Sequence, residues 1–151
     1  SLSIIANTSP GIEPVFALAY RKRAIDEEFK NLVNPAFRAI IEQKYSISQC
    51  KKILEQISKT GKVQNCSIID ENLKKVFITA PEITAEWHIK MQAAFQKYCD
   101  NAVAKTVNLA SEATVEDILD IFIKAHELHC KGVTVYRSGS RQKEAQQAGL
   151  Y

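Results

Sequence analysis

Two runs of strand length, Val15–Tyr20 and Val133–Tyr136, stand in a chain whose longer patterned segments read as helices. That imbalance constrains the fold most. Val15–Tyr20 is apolar throughout, so it fits either a strand buried on both faces or part of a buried helix. Val133–Tyr136 follows a helical segment and Gly132, which makes a helix–loop–strand unit of the kind that builds α/β folds. The fold class read from the residues is therefore α/β and helix-rich, with sheet partners expected from further sequence. Neither an internal repeat nor a domain linker is visible, so 1–151 reads as one segment with a polar, glutamine-rich tail, 138–151, expected to be loosely held.

The helix starts carry local chemistry. Asn34 before Pro35 is an N-cap followed by proline at the first helical position. Phe37, Ile40, Ile41 and Tyr45 then recur at helical spacing. Ser48 is expected to cap a second helix, with Ile53, Leu54 and Ile57 on one face and Gly61 as its stop. Thr84 is expected to cap a third, with Trp87, Met91, Ala94, Phe95 and Tyr98 as its buried face. Thr114 caps a fourth, with Glu116 and Asp117 in the first turn, where they complement the helix dipole. Ile118, Leu119, Phe122, Ala125 and Leu128 are its expected buried stripe, and Gly132 its end. The span from Arg23 to Asn72 is the least distinctive, and is read as helical in character.

Charge and composition exclude several classes. The chain carries 20 basic and 17 acidic residues, and its longest basic run, Arg21–Arg23, is followed at once by Asp26-Glu27-Glu28. That balance argues against direct nucleic acid binding. No apolar run approaches the roughly 20 residues a membrane helix needs, and no signal peptide is visible. Cys50, Cys66, Cys99 and Cys130 form no CxxC pair, so reduced thiols and a cytoplasmic location are expected. The chain opens at Ser1 with no initiator methionine, which reads as a piece of something longer. A gene break and a protein-splicing junction, which requires a hydroxyl or thiol residue at that position, both fit.

The sharpest local cluster is His126-Glu127-Leu128-His129-Cys130. His126 and Cys130 share a helix face, as metal ligands require, but the pattern is one residue short of HExxH and has no second ligand pair nearby. Histidines at a helix C-terminus are the plainer reading, and no metal is assigned. The cysteines read as small hydrophobes, Cys99 on or near an apolar helix face and Cys130 ahead of a buried strand. No glycine-rich phosphate loop occurs. What remains is the first turn, where Ser1 and Ser3 precede an apolar segment. If Ser3–Ala6 starts a helix, its free N–H groups form an anion site.

Five blocks carry a family resemblance. Ser1-Leu2-Ser3-Ile4-Ile5-Ala6, followed by Thr8-Ser9-Pro10-Gly11-Ile12-Glu13-Pro14-Val15-Phe16-Ala17, resembles the stretch ending the proline-threonine-glycine-threonine-isoleucine-serine loop of cobalamin-dependent ribonucleotide reductases. Val76-Phe77-Ile78-Thr79-Ala80, with Glu82-Ile83 and Glu86-Trp87-His88-Ile89, is similar to a second block. Met91–Lys97, Asp100–Val103 and Lys105-Thr106-Val107-Asn108-Leu109 make a third. Ala113–Asp117, then Cys130–Arg137 with Gly139-Ser140-Arg141, complete the set in family order.

The resemblance, to the adenosylcobalamin-dependent class II enzymes, implies the closing part of a ten-stranded α/β barrel. It implies an enzyme that converts ribonucleotides to 2′-deoxyribonucleotides. Adenosylcobalamin generates a thiyl radical on a finger-loop cysteine, an asparagine and a glutamate assist, and a dithiol reductant such as thioredoxin resupplies electrons. Those residues lie upstream or downstream in the family, so no catalytic residue is named here and the isolated chain is expected to be inactive. Its expected partners are the ribonucleotide substrate and the remainder of the barrel. By the same resemblance Ser1, Leu2 and Ser3 end the substrate phosphate-binding loop. Radical-importing reductases carry a tyrosine pair where this chain has Val135-Tyr136, which favours the cobalamin class. The alternative reading is a non-catalytic helical interaction chain of a split enzyme.

Overall fold

The computed structural model describes residues 5–6, 10–23, 29–140 and 146–149. The chain divides into two compact units: Ser1–Pro14 with Ala80–Gln142, and Val15–Thr79 with Lys143–Tyr151.

The second of these holds a three-stranded antiparallel sheet and three helices. β1 (Ala19–Arg23) is central, flanked by β2 (Phe29–Val33) and β5 (Gln146–Ala148), with Ala19 opposite Val33 and Arg21 opposite Gln147. The strand expected at Val15–Tyr20 thus begins four residues later. Ala17, Leu18 and Ala19 are buried as the chain enters the sheet, and backbone pairing then carries the strand onward through Arg21–Arg23. Leu18 itself donates to the Gly61 carbonyl and accepts from Asn34 N–H, 2.8 Å each. β2 is a strand in a region read as helical, and β5 lies in the tail expected to be loosely held.

α1 (Pro35–Lys44) starts as the sequence predicts, with the Asn34 side chain accepting from Phe37 N–H. α2 (Ile47–Thr60) is capped by Ser46, not Ser48. Gln49 decides between the two serines. It sits three residues after Ser46 and returns a bond to that residue's N–H, which closes a capping box. Gly61 ends α2 at φ 74°, and a Cβ there would stand 2.9 Å from the Ala17 Cβ, so the position favours glycine twice over. A short α3 (Glu71–Val76) follows, capped by Asp70, whose carboxyl is held below its ordinary range chiefly by the Leu73 N–H. The core gathers Leu18, Phe37, Ile41, Ile53, Ile57 and Val63, each fully buried. The Phe37 and Phe77 rings meet edge to face at 5.0 Å.

The other unit contains α4 (Ala85–Gln96), β3 (Thr106–Leu109), α5 (Val115–Glu127) and β4 (Thr134–Arg137). β3 and β4 are parallel, with Val107 opposite Val135 and Asn108 opposite Tyr136. α5 is the crossover that a parallel pair requires. Thr114 caps it in a full capping box with Asp117. The helix ends earlier than Gly132, since Leu128 is its C-cap and His129 takes φ 58°. Ile89, Val107, Ile121 and Ala125 form the core, with Leu109, Leu128, Val133 and Val135 packed against it.

Two expected helix faces are corrected here. On α4 the buried residues are His88, Ile89, Gln92 and Gln96, while Trp87, Met91, Ala94, Phe95 and Tyr98 are exposed. On α5, Ala125 is buried and Leu128 packs against the core as expected, but Ile121 is buried with them and Leu119 and Phe122 are exposed. Within these residues the polar side of α4 faces in because backbone groups there need partners. Gln92 donates to the carbonyls of Val103 and Gly132, at 2.9 and 2.5 Å. Gln96 donates to those of Cys99 and Asn101 and accepts from Val103 N–H. The two glutamines thereby hold the approaches to both parallel strands.

Candidate functional site

Ser1, Leu2 and Ser3, the expected phosphate-binding residues, lie outside the described residues. Ile5 and Ala6 are helical and exposed. Pro10–Glu13 form a turn, closed by Glu13 N–H donating to the Pro10 carbonyl at 3.1 Å, with Gly11 at φ 58°.

From that turn Glu13 reaches β3. One carboxylate oxygen accepts from Thr106 N–H at 2.6 Å, and the other accepts from the Lys105 ammonium at 2.9 Å. The Lys105 side chain is 1% exposed and that of Glu13 25%. The remaining Lys105 protons go to His88 Nδ1 at 2.8 Å and to the Thr106 carbonyl at 3.3 Å, so all three donors are used. His88 Nε2 stands 3.0 Å from the Ala80 carbonyl, at the start of the 3-10 turn Ala80–Glu82. A carbonyl only accepts, so Nε2 carries the proton and Nδ1 offers its lone pair to Lys105.

Burial pushes the His88 pKa below its ordinary 6.5, and Lys105 pushes the same way; the Ala80 carbonyl and Glu13 oppose them. The neutral ring is thus the one this arrangement requires. A folded-state pKa below the unfolded value means that the unfolded chain binds the extra proton first. Stability is then fully present above about pH 6.5 and declines as pH falls toward the folded-state pKa. Urea midpoints measured from pH 7.5 to 5 are expected to fall, and His88→Gln to flatten that decline. An equally steep decline in the variant would place the titrating group elsewhere.

The C-terminal ends of the parallel strands are tied together, Ser138 N–H to the Leu109 carbonyl at 3.0 Å and Arg137 to the Ser111 carbonyl at 2.8 Å. Beside the loop after β3 lies an open groove of about 760 Å³ with Ile89, Leu109 and Ile121 among its lining residues. Its rim carries the carboxylates of Glu86, Glu112, Asp117, Asp120 and Glu127 against Lys124. That field repels phosphate, so the groove does not suit a nucleotide's anionic end.

Among the described residues no three His, Cys, Asp or Glu side chains gather as a metal would need. His126 is exposed on α5, and Cys130 N–H donates to the Ala125 carbonyl. All four cysteines are free. Cys50 and Cys66 are buried, and Cys99, expected near an apolar face, is exposed beyond the end of α4. No described helix is long and apolar enough to cross a membrane.

Sequence reasoning did not single out Glu13, His88 or Lys105. A usable signal was present. Each lies in a different one of the resemblance blocks, Gly11-Ile12-Glu13-Pro14, Glu86-Trp87-His88-Ile89 and Lys105-Thr106-Val107, and the fold brings the three to one point.

The comparisons with known proteins agree with those blocks. A family model for the ribonucleotide reductase barrel domain matches residues 1–136. The chain belongs to the ribonucleotide reductase family. It is 42% identical, over 99% of its length, to a vitamin B12-dependent ribonucleoside-diphosphate reductase of Thermoplasma acidophilum. It is 37% identical, over 94%, to a protein of the same name from Mycobacterium tuberculosis. It spans 19% and 20% of those two relatives. Among solved structures it is similar to the Actinobacillus ureae class Id ribonucleotide reductase alpha subunit, with a TM-score of 0.70 and 23% identity over 92% of this chain and 25% of that one. The last likeness is one of fold.

Proposed function

We propose that this chain is a working part of a ribonucleotide reductase that uses adenosylcobalamin to convert ribonucleotides to 2′-deoxyribonucleotides. The observation that carries the reading is the nearly full-length match to relatives named as vitamin B12-dependent reductases. In this reading the chain supplies the closing part of the ten-stranded barrel. The thiyl radical, the finger loop and the electron-supplying dithiols belong to the rest of the enzyme, and a thioredoxin-type protein is the external reductant. The 151 residues taken alone do not turn over.

The cofactor supplies homolytic cleavage of a cobalt–carbon bond when bound. The groove described above does not fit a corrin. The groove beside β3 is rimmed by carboxylates, and no histidine or cysteine lines it. No step is therefore assigned to this chain through the cofactor.

What the chain contributes to chemistry is substrate placement. Ser1, Leu2 and Ser3 hold the substrate's phosphates through serine hydroxyls and backbone N–H groups at a helix start, where the dipole favours an anion. In a complete reductase, Ser3→Ala is expected to raise KM roughly ten- to a hundred-fold with kcat nearly unchanged, because a phosphate contact is made about equally in ground and transition states. Leu2→Ile is expected to be silent. An unchanged KM with collapsed turnover would sink the phosphate assignment.

A further inference from the structure

The helices α4 and α5 meet β3 and β4 on one face. Ile89, Ile121 and Ala125 pack there with Val107, Leu109, Val133 and Val135. Successive side chains of a strand point to opposite faces. Thr106 and Asn108 of β3 and Thr134 and Tyr136 of β4 therefore share the other face. The register sets Thr106 beside Thr134 and Asn108 beside Tyr136, so the four make one continuous patch. Thr134 is exposed and the other three are half-buried. Among the described residues nothing hydrogen-bonds to the side-chain amide of Asn108.

In an α/β barrel the helices form the outer ring, and the strand face away from them points inward. That inner face is ordinarily filled with Val, Ile and Leu. Here the valines and the leucine lie on the helix side, and the other face carries two threonines, an asparagine and a tyrosine. An amide brings two donors and an acceptor with two lone pairs, and leaving them unmet inside a barrel is costly. Ligand sites set a few polar groups of this kind to fix the orientation of what they bind. In a ribonucleotide reductase the occupant of matching chemistry is the nucleoside part of the substrate, whose ribose hydroxyls and base edge both donate and accept. We propose that the face formed by Thr106, Asn108, Thr134 and Tyr136 lines the substrate cavity, and that Asn108 hydrogen-bonds the nucleoside part of the ribonucleotide. This rests on the reductase reading above and adds a binding residue on the strands themselves.

The test measures equilibrium binding of a ribonucleoside diphosphate and of inorganic pyrophosphate to the complete reductase, with and without Asn108→Ala. The variant is expected to weaken the nucleotide about ten-fold, as the loss of one or two neutral hydrogen bonds would, and to leave pyrophosphate within about two-fold. Its KM for the nucleotide is expected to rise by the same factor. If Asn108→Ala fails to fold, Asn108→Ser, which stays polar but is too short to reach the same ligand atom, carries the comparison. Unchanged nucleotide binding with a lowered thermal midpoint would overturn this inference alone and make Asn108 a packing residue. An equal loss for nucleotide and pyrophosphate would also overturn it, because the effect would then run through the phosphates. Loosened adenosylcobalamin with unchanged nucleotide binding would give the face to the cofactor's adenosyl group, and the inference would fall. An unaltered complete reductase that binds no ribonucleotide would overturn the reductase reading and this inference with it.

Discussion

Glu13→Ala is expected to lower the stability of the unit that contains it by about 3 kcal/mol, and Lys105→Met by only about 1–2 kcal/mol. The asymmetry follows from where the two charges sit. Lys105 is 1% exposed and Glu13 25%. Removing the carboxylate strands an ammonium away from water and leaves Thr106 N–H without its 2.6 Å acceptor. Removing the ammonium leaves a carboxylate that still accepts from Thr106 and still reaches solvent, with a thioether of similar length filling the space. Breaking a buried pair from its more buried side's partner is the costly direction. Trp87 is the one tryptophan of the chain and lies on α4 in the same unit, so urea unfolding followed by its fluorescence reads the relevant transition. Equal losses for the two variants, or a loss below about 1 kcal/mol for Glu13→Ala, would mean that the pair is screened by water.

What was legible in the sequence is what local chemistry encodes. Asn34-Pro35 and Thr114 with Asp117 announce helix starts through bonds spanning three residues, and both are in place. Ser46 over Ser48 was also within reach, because only Ser46 has a glutamine at the position that completes a capping box. β2 and the end of β1 were not. Pairing of Ala19 with Val33 and of Tyr20 with Leu32 is a non-local choice that periodicity in one segment does not contain. The buried face of α4 is a related case. A stripe of Trp87, Met91, Phe95 and Tyr98 looks like a core, but within these residues the inward side is set by carbonyls from residues 80, 99–103 and 132, which need the donors of His88, Gln92 and Gln96.

The site was legible to a smaller extent. Ser1–Ser3 came from the resemblance and lies outside the described residues. Glu13 and Lys105 are 92 positions apart, and Lys105 and His88 are 17 apart. No helical or strand spacing links them, so only the fold reveals that they form one cluster. The family itself was legible because its blocks run in order along nearly the whole chain, and the barrel-domain match over residues 1–136 follows the same course.

The most direct test of the central claim, that this chain works as part of a cobalamin-dependent ribonucleotide reductase, is reconstitution. The 151-residue chain is mixed with a polypeptide supplying the rest of a reductase barrel, and deoxyribonucleotide formation is measured with adenosylcobalamin and a dithiol. The expected effect is all or none: product with both polypeptides present, none from either alone, and none without adenosylcobalamin. On the proposed reading, the finger loop and dithiols come from one polypeptide and the end of the phosphate-binding loop from the other. Turnover by the 151 residues alone, or a folded, associated pair that forms no product, would contradict the account.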